Sequence, residues 1–287
     1  MLKRIITGIC YALLICGFFL LRQLVDYRLM HVLIFAFSFI GTFELARALK
    51  KWLIKGNYTL TVIYGGLIVP LYCVLQYLLG GYGLLVLILP FILSLVMAIV
   101  CFAKQKNLKE IGANVLGFLY PAIFIMAMLF ANELGKNTGF IVLLLPFVVS
   151  ALSDTFAFFI GSLIGGKKLC PTLSPKKTWA GAIGGTIGGI LGALLVYFIF
   201  GSKLGYTIID PIIAFIIIGV LGSVLTIVGD LFESYIKRKA GIKDMGNILP
   251  GHGGVLDRID GTSFVVLLVY IVFLIIRWKY EENCFNW

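Results

Sequence analysis

The chain has 287 residues, of which 61% are hydrophobic and only 13% charged, against roughly 25% charged in a soluble domain. The apolar residues form blocks long enough to cross a bilayer, which takes about 20 residues each, so a soluble globular fold is excluded. The net charge of +11 would suggest nucleic acid in a soluble protein, but here Lys and Arg fall between the apolar blocks, where they orient helices and face anionic lipid. No nucleic-acid partner is expected.

Nine membrane helices are predicted, over Ile5–Leu21, His31–Ala48, Tyr58–Leu79, Gly83–Phe102, Ile111–Phe130, Phe140–Ile164, Trp179–Phe200, Ile208–Leu231 and Thr262–Trp278. Helix satisfies every backbone polar group within its own segment, as lipid demands. The apolar runs lack the alternation of barrel strands. The expected fold is therefore all-α and polytopic. Ile5–Leu21 follows Lys3 and Arg4 as a signal peptide would, but it is followed by Arg22 and by no small-residue cleavage site, so it reads as a retained first helix.

Nine helices send alternate loops to opposite sides, and 18 of the 24 Lys and Arg fall on one side, Lys55 and Lys106 among them. The positive-inside rule then places the N-terminus in the cytoplasm and the C-terminus outside. Residues 1–140 carry only generic membrane helices. Residues 141–287 carry two conspicuous cytoplasmic loops, 165–178 and 232–261, and the second is the longest polar stretch in the chain. Catalytic groups belong in such loops more than in the short outer ones.

The seventh helix carries glycines at four-residue spacing, Gly181–Gly185–Gly189 and Gly184–Gly188–Gly192. That spacing lets two helix backbones approach closely, within one chain or between two. The cysteines, Cys10, Cys16, Cys73, Cys101, Cys170 and Cys284, form no C-x-x-C pair, so neither a disulfide framework nor a zinc site is expected.

Of 13 acidic residues, Asp26 and Asp210 fall on the outer side, and Glu44 is expected to pair with Arg47 one turn on. Asp154, Asp230, Glu233, Asp244, Asp257 and Asp260 all fall in the cytoplasmic half. An ionisable group near a membrane helix end usually faces a wet cavity or a partner. Asp257 and Asp260 share a face if the last helix starts early. Converging carboxylates bind a hard cation such as magnesium. With the surrounding Lys and Arg and the turn Pro250-Gly251-His252-Gly253-Gly254, these are the parts of a phosphoryl-transfer site.

The stretch Ser234 to Asp260, SYIKRKAGIKDMGNILPGHGGVLDRID, resembles the signature of the phosphatidate cytidylyltransferases, or CDP-diacylglycerol synthases. Ser234, Lys237, Arg238, Lys243, Asp244, Pro250, His252, Gly253, Gly254, Asp257, Arg258 and Asp260 fill it without a gap. Gly229-Asp230-Leu231-Phe232-Glu233, Ser153-Asp154 with Ala157 and Gly161, and Ser174-Pro175-Lys176-Lys177-Thr178 resemble flanking segments of that family. Ala180 departs from an acidic residue common there. The match spans roughly Ser150 to Ser263.

The resemblance implies that phosphatidic acid and CTP give CDP-diacylglycerol and pyrophosphate. It also implies magnesium, with or without a second cation, and a homodimer in a bacterial inner membrane with its active site facing the cytoplasm. On that basis Asp230, Asp257 and Asp260 are expected to hold metal, and Lys237, Arg238, Lys243 and Arg258 to hold phosphate oxygens, with Asp244 and His252 beside them. Asp154, Ser174, Lys176, Lys177, Thr178, Ser234, Gly253 and Gly254 are expected to shape the substrate pockets. His252 has three open roles: donor to phosphate, metal ligand, or brace of its turn. His31 is expected to be structural. Two other classes compete. A transporter would use Asp154 and Asp230 as an ion path, but the paired broken helices of such folds are missing. A CTP-dependent lipid kinase would move the γ-phosphate instead, and the pattern of the CDP-alcohol phosphotransferases is not present.

Overall fold

A computed structural model describes residues 2–53, 58–104, 107–204 and 211–285. Lys55, Lys106 and Asp210, and with Asp210 the expected start of the eighth helix, lie outside the described residues. Within them are nine α-helices: α1 Leu2–Leu24, α2 Met30–Leu53, α3 Thr59–Cys73, α4 Ile88–Ala103, α5 Leu108–Glu133, α6 Lys136–Ile164, α7 Trp179–Phe200, α8 Pro211–Lys239 and α9 Leu256–Phe285. All but α4 are long and apolar enough to cross a membrane. The chain is thus an all-α polytopic membrane protein with one addition. The expected loop 165–178 contains a small antiparallel hairpin, β1 Lys168–Cys170 and β2 Ser174–Thr178.

Several predicted boundaries move, and three of them matter most here. The segment expected as one helix over Gly83–Phe102 divides into a 3₁₀ turn over Tyr82–Leu87 and the 16-residue α4. Pro90 falls in the first turn of α4, where its missing N–H costs no intrahelical bond. The helix expected to end at Leu231 runs on to Lys239, because Glu, Tyr, Ile, Lys and Arg are sound helix formers even where hydropathy falls. It stops where Gly241 adopts φ +65° and the Ile242 amide donates to the Lys237 carbonyl, a left-handed C-terminal cap. The last helix starts at Leu256, not Thr262, with Asp257 in its first turn. The long polar loop shrinks accordingly from 232–261 to 240–255.

The chain forms two compact units, residues 1–129 with 236–258, and residues 130–235 with 259–287. In the first, Ser38 of α2 donates to the Gly65 carbonyl of α3 at 2.7 Å, and Gly65 itself lies against Thr42. His31 is buried between the Tyr72 and Tyr77 rings, 3.7 Å from the Cys73 sulfur. This is the structural placement expected of it.

In the second unit the glycine face of α7 meets α6. A Cβ on Gly188 would stand 2.5 Å from the Leu152 carbonyl oxygen and 2.7 Å from Phe156 Cβ, and one on Gly181 2.8 Å from the Ala157 carbonyl oxygen. The glycine repeat therefore serves a contact within the chain. α8 joins through Gly219, which abuts the α7 backbone at Ile190, and α9 meets α8 where Gly229 faces the Asp260 carbonyl and Gly261.

Gly188→Val is expected to lower unfolding stability in detergent by about 2 kcal/mol through overpacking. Gly112→Ala on α5, where nothing lies within 4 Å of the added methyl, should leave stability unchanged or raise it by at most about 1 kcal/mol. Equal losses in both, followed by denaturant titration, would refute the close-packing account.

Candidate active site

In the second unit the site grows from the hairpin. Thr178 ends β2, and its hydroxyl accepts the Gly181 amide at 3.0 Å, capping α7. Thr178 is 5% exposed; it fixes the strand-to-helix turn and also lines the cavity described next. Its neighbour Lys177 reaches α8 and donates to Asp230 at 2.5 Å. Asp230 is brought beside α9 by the Gly229–Gly261 approach; a Cβ on Gly261 would lie 3.2 Å from its Oδ1. Asp260 and Asp154 are its repulsive electrostatic neighbours, and Lys177 its attractive one. Three carboxylates and a lysine thus gather at this place. Asp260 accepts the Gly261 amide at 2.8 Å.

Around Asp154 and Lys177 lies a cavity of about 530 Å³. Phe158, Leu169 and Ile227 give it an apolar wall, and Lys168 and Lys176 a charged mouth. Ser174 begins β2 and is half-buried, but it is not among the lining residues.

The first unit holds the other half of the predicted residues. Asp257 accepts from Lys237 Nζ at 2.8 Å with one oxygen, and from the amides of Met245 and Gly254, both at 2.8 Å, with the other. It thus ties the end of α8 and both ends of the 245–254 stretch to the start of α9. Within that stretch Leu249 and Gly253 pair in a tight bridge, with φ +77° at Gly251 and +91° at Gly253, angles that glycine adopts without strain. Arg258 donates to the His252 carbonyl at 2.9 Å. The His252 ring packs by α1, its Nε2 3.4 Å from a Cβ built on Gly8, and Thr7 donates to the Pro250 carbonyl. The His252 Nδ1 is buried with no hydrogen-bond partner among the described residues.

Arg238 and Lys243 are exposed. Lys243 and Asp244 line a polar cavity of about 330 Å³ together with Arg47 and Lys51 of α2. Ser234 is half-buried on α8.

Three residues absent from the expected set belong here: Glu44, Arg47 and Lys51. Glu44 is 1% exposed, and its carboxylate accepts the amides of Val255 and Leu256 at 3.1 and 2.8 Å. The pairing expected with Arg47 gives way to these bonds, and Arg47 acts on it only as a nearby charge. The signal was a carboxylate in the apolar second helix, with cations three and seven residues on, the helical spacing of one face.

Among the described residues no group of three or more His, Cys, Asp or Glu side chains is placed to hold a metal ion. Asp257 has both oxygens committed, and Asp230 and Asp260 each have one.

The model of the cytidylyltransferase family matches residues 2–276. The chain belongs to this family. A phosphatidate cytidylyltransferase of Brucella abortus is 42% identical over 133 residues, 46% of this chain and 47% of that one. This cytidylyltransferase-family chain thus aligns with about half the length of that relative. One of Rickettsia conorii is 34% identical over 221 residues, 76% and 92% of the two chains. One of Helicobacter pylori is 36% identical over 188 residues, 65% of each.

Lys177→Ala and Asp257→Asn are each expected to cut turnover on the order of 100-fold in protein that still folds, as loss of one preorganised polar group does. Lys50→Gln, on α2 but outside both cavities, should stay within about twofold, since surface changes away from such features are nearly neutral. Near-normal rates for both site variants would remove these clusters from the chemistry.

Proposed function

We propose that the chain is a phosphatidate cytidylyltransferase, joining CTP and phosphatidic acid to give CDP-diacylglycerol and pyrophosphate. The observation that carries the proposal is the 530 Å³ cavity, which sets an apolar wall beside Lys168, Lys176 and Lys177. An anionic head on an acyl body suits that combination, because a charge is stabilised by neighbouring cations while the chains stay in apolar surroundings. Family membership and the names of the relatives support the nucleotide half.

In the reaction a phosphate oxygen of the lipid, already ionised at neutral pH, attacks the α-phosphorus of CTP. The bond to the β-phosphate breaks, and pyrophosphate leaves with the electron pair. No proton need be removed from the nucleophile, so the protein's task is to bring two anions together. Lys177, held by Asp230, is assigned to the lipid phosphate. Arg238 and Lys243, both exposed, are assigned to CTP phosphates, Arg with the option of a bidentate grip. Arg47 and Lys51 add positive charge beside Lys243. Magnesium enters with its substrate, as the counter-ion of CTP. The setting we propose is a homodimer in a bacterial inner membrane, with both cavities open to the cytoplasm and anionic lipid at the basic loops.

The test uses purified protein, phosphatidic acid, magnesium and CTP labelled at the α or the γ position. The α label should pass to lipid and the γ label to pyrophosphate. Transfer of the γ label to lipid would make the chain a kinase, and movement of neither would overturn the proposal. Chelation of magnesium is expected to abolish transfer, and its return to restore it.

A further inference from the structure

Glu44 is a carboxylate in the middle of an apolar chain, and the chemistry just assigned leaves it unused. It is 1% exposed, on α2, and both of its oxygens accept backbone amides at the entrance to α9. The first amides of a helix have no acceptor within the helix, and a negative charge there is favoured by the helix dipole. What encloses the carboxylate is as telling. A Cβ built on Gly246 or on Gly254 would overlap its oxygens outright, whereas the same atom on Gly241 would meet nothing within 4 Å. Glycine at 254 thus occupies a position where backbone and carboxylate are in direct contact. Gly253 beside it faces the other carboxylate: a Cβ there would stand 2.8 Å from Asp257 Oδ2.

We propose that Glu44 is a positioning residue that holds the 240–255 loop and the start of α9 in their working shape, and that Gly246 and Gly254 are glycine to admit its carboxylate. This departs from the usual assignment for such a turn, in which glycine admits a substrate phosphate. Glu44 touches no reacting atom. It acts through Asp257, Lys243 and Asp244, whose backbones belong to the segment that Glu44 and Asp257 pin together. Burial of Glu44 among amide donors carries the argument. A buried acceptor removed from two amides leaves both unsatisfied, and the loop must then find another shape.

The activity arm of the test rests on the cytidylyltransferase proposal; the exchange arm does not. By hydrogen exchange on the full-length protein in detergent, Glu44→Ala should speed exchange of the Val255 and Leu256 amides by at least about tenfold, the scale of one lost buried bond, while α6 and α7 stay protected. Unchanged exchange at 255 and 256 would overturn the proposal whatever the enzyme's activity.

The second arm is a rescue. Gly254→Ala should lose turnover on the order of 100-fold in the wild-type background. Glu44→Asp, which keeps the charge and withdraws it by one methylene, should restore at least tenfold of that loss, a coupling typical of residues in contact. Gly246→Ala with Glu44→Asp repeats the test at the other wall should Gly254→Ala not fold. If glycine is there for a phosphate, Gly254→Ala raises the KM for CTP equally in both backgrounds, and the proposal is wrong. If wild-type protein transfers no cytidylyl group while exchange behaves as described, the activity falls and the clamp stands.

Discussion

A backbone amide or carbonyl that is buried away from water must find its partner within the protein, so a buried departure from helix must bring its own. Two conspicuous departures are the segments between α6 and α7 and between α8 and α9, and the chemistry is assigned to both. Between α6 and α7 the departure is closed by hairpin pairing and by the Thr178 cap. Between α8 and α9 no ladder is available for most of the loop. Carboxylates substitute for it: Asp257 takes the amides of Met245 and Gly254, and Glu44 those of Val255 and Leu256. The acids of this region are thus acceptors for main chain as much as groups for a ligand.

That double use alters how the polar string of the signature is understood. A run of Lys, Asp, Gly, His and Arg suggests a surface facing phosphate. In the structure part of its polarity is turned inward: Lys237 to Asp257, and the His252 ring toward α1. Arg238, Lys243, Asp244 and Arg258 remain exposed, Arg258 while donating to the His252 carbonyl. Outward charges carried on a backbone that inward ones hold is the arrangement that preorganisation requires, since groups fixed beforehand need no reorganisation when the substrate arrives.

The helices were legible because length and hydropathy report them directly, and α7 was legible to the residue. Its start is marked by Thr178 as a cap, and its packing face by the four-residue glycine spacing. Where hydropathy and helicity part company the sequence misled. Phe232–Lys239 is polar yet helical, and Leu256–Gly261 is helical although it precedes the apolar run. Of the site, the identities of Asp230, Lys237 and Asp257 could be picked out, but not their partners. The Glu44 contact joins residues 211 and 212 apart, and no periodicity along one chain records a distance in space.

The bare face of α7 has a thermal consequence. One side of that helix offers glycine to α6, while the other presents Ile183, Ile187, Leu191 and Leu195 outward in a single row. Both sides are apolar, so lipid does not distinguish them, and separating the pair would exchange dispersion contacts with protein for dispersion contacts with acyl chains. Little apolar surface would meet water. Such a separation lacks the large heat-capacity increment that accompanies exposure of a soluble core, so this seam does not loosen in the cold as water-driven packing does. The stability of the scaffold under Lys177 thus varies with temperature along a nearly straight line, without the curvature that brings cold unfolding to a water-driven core.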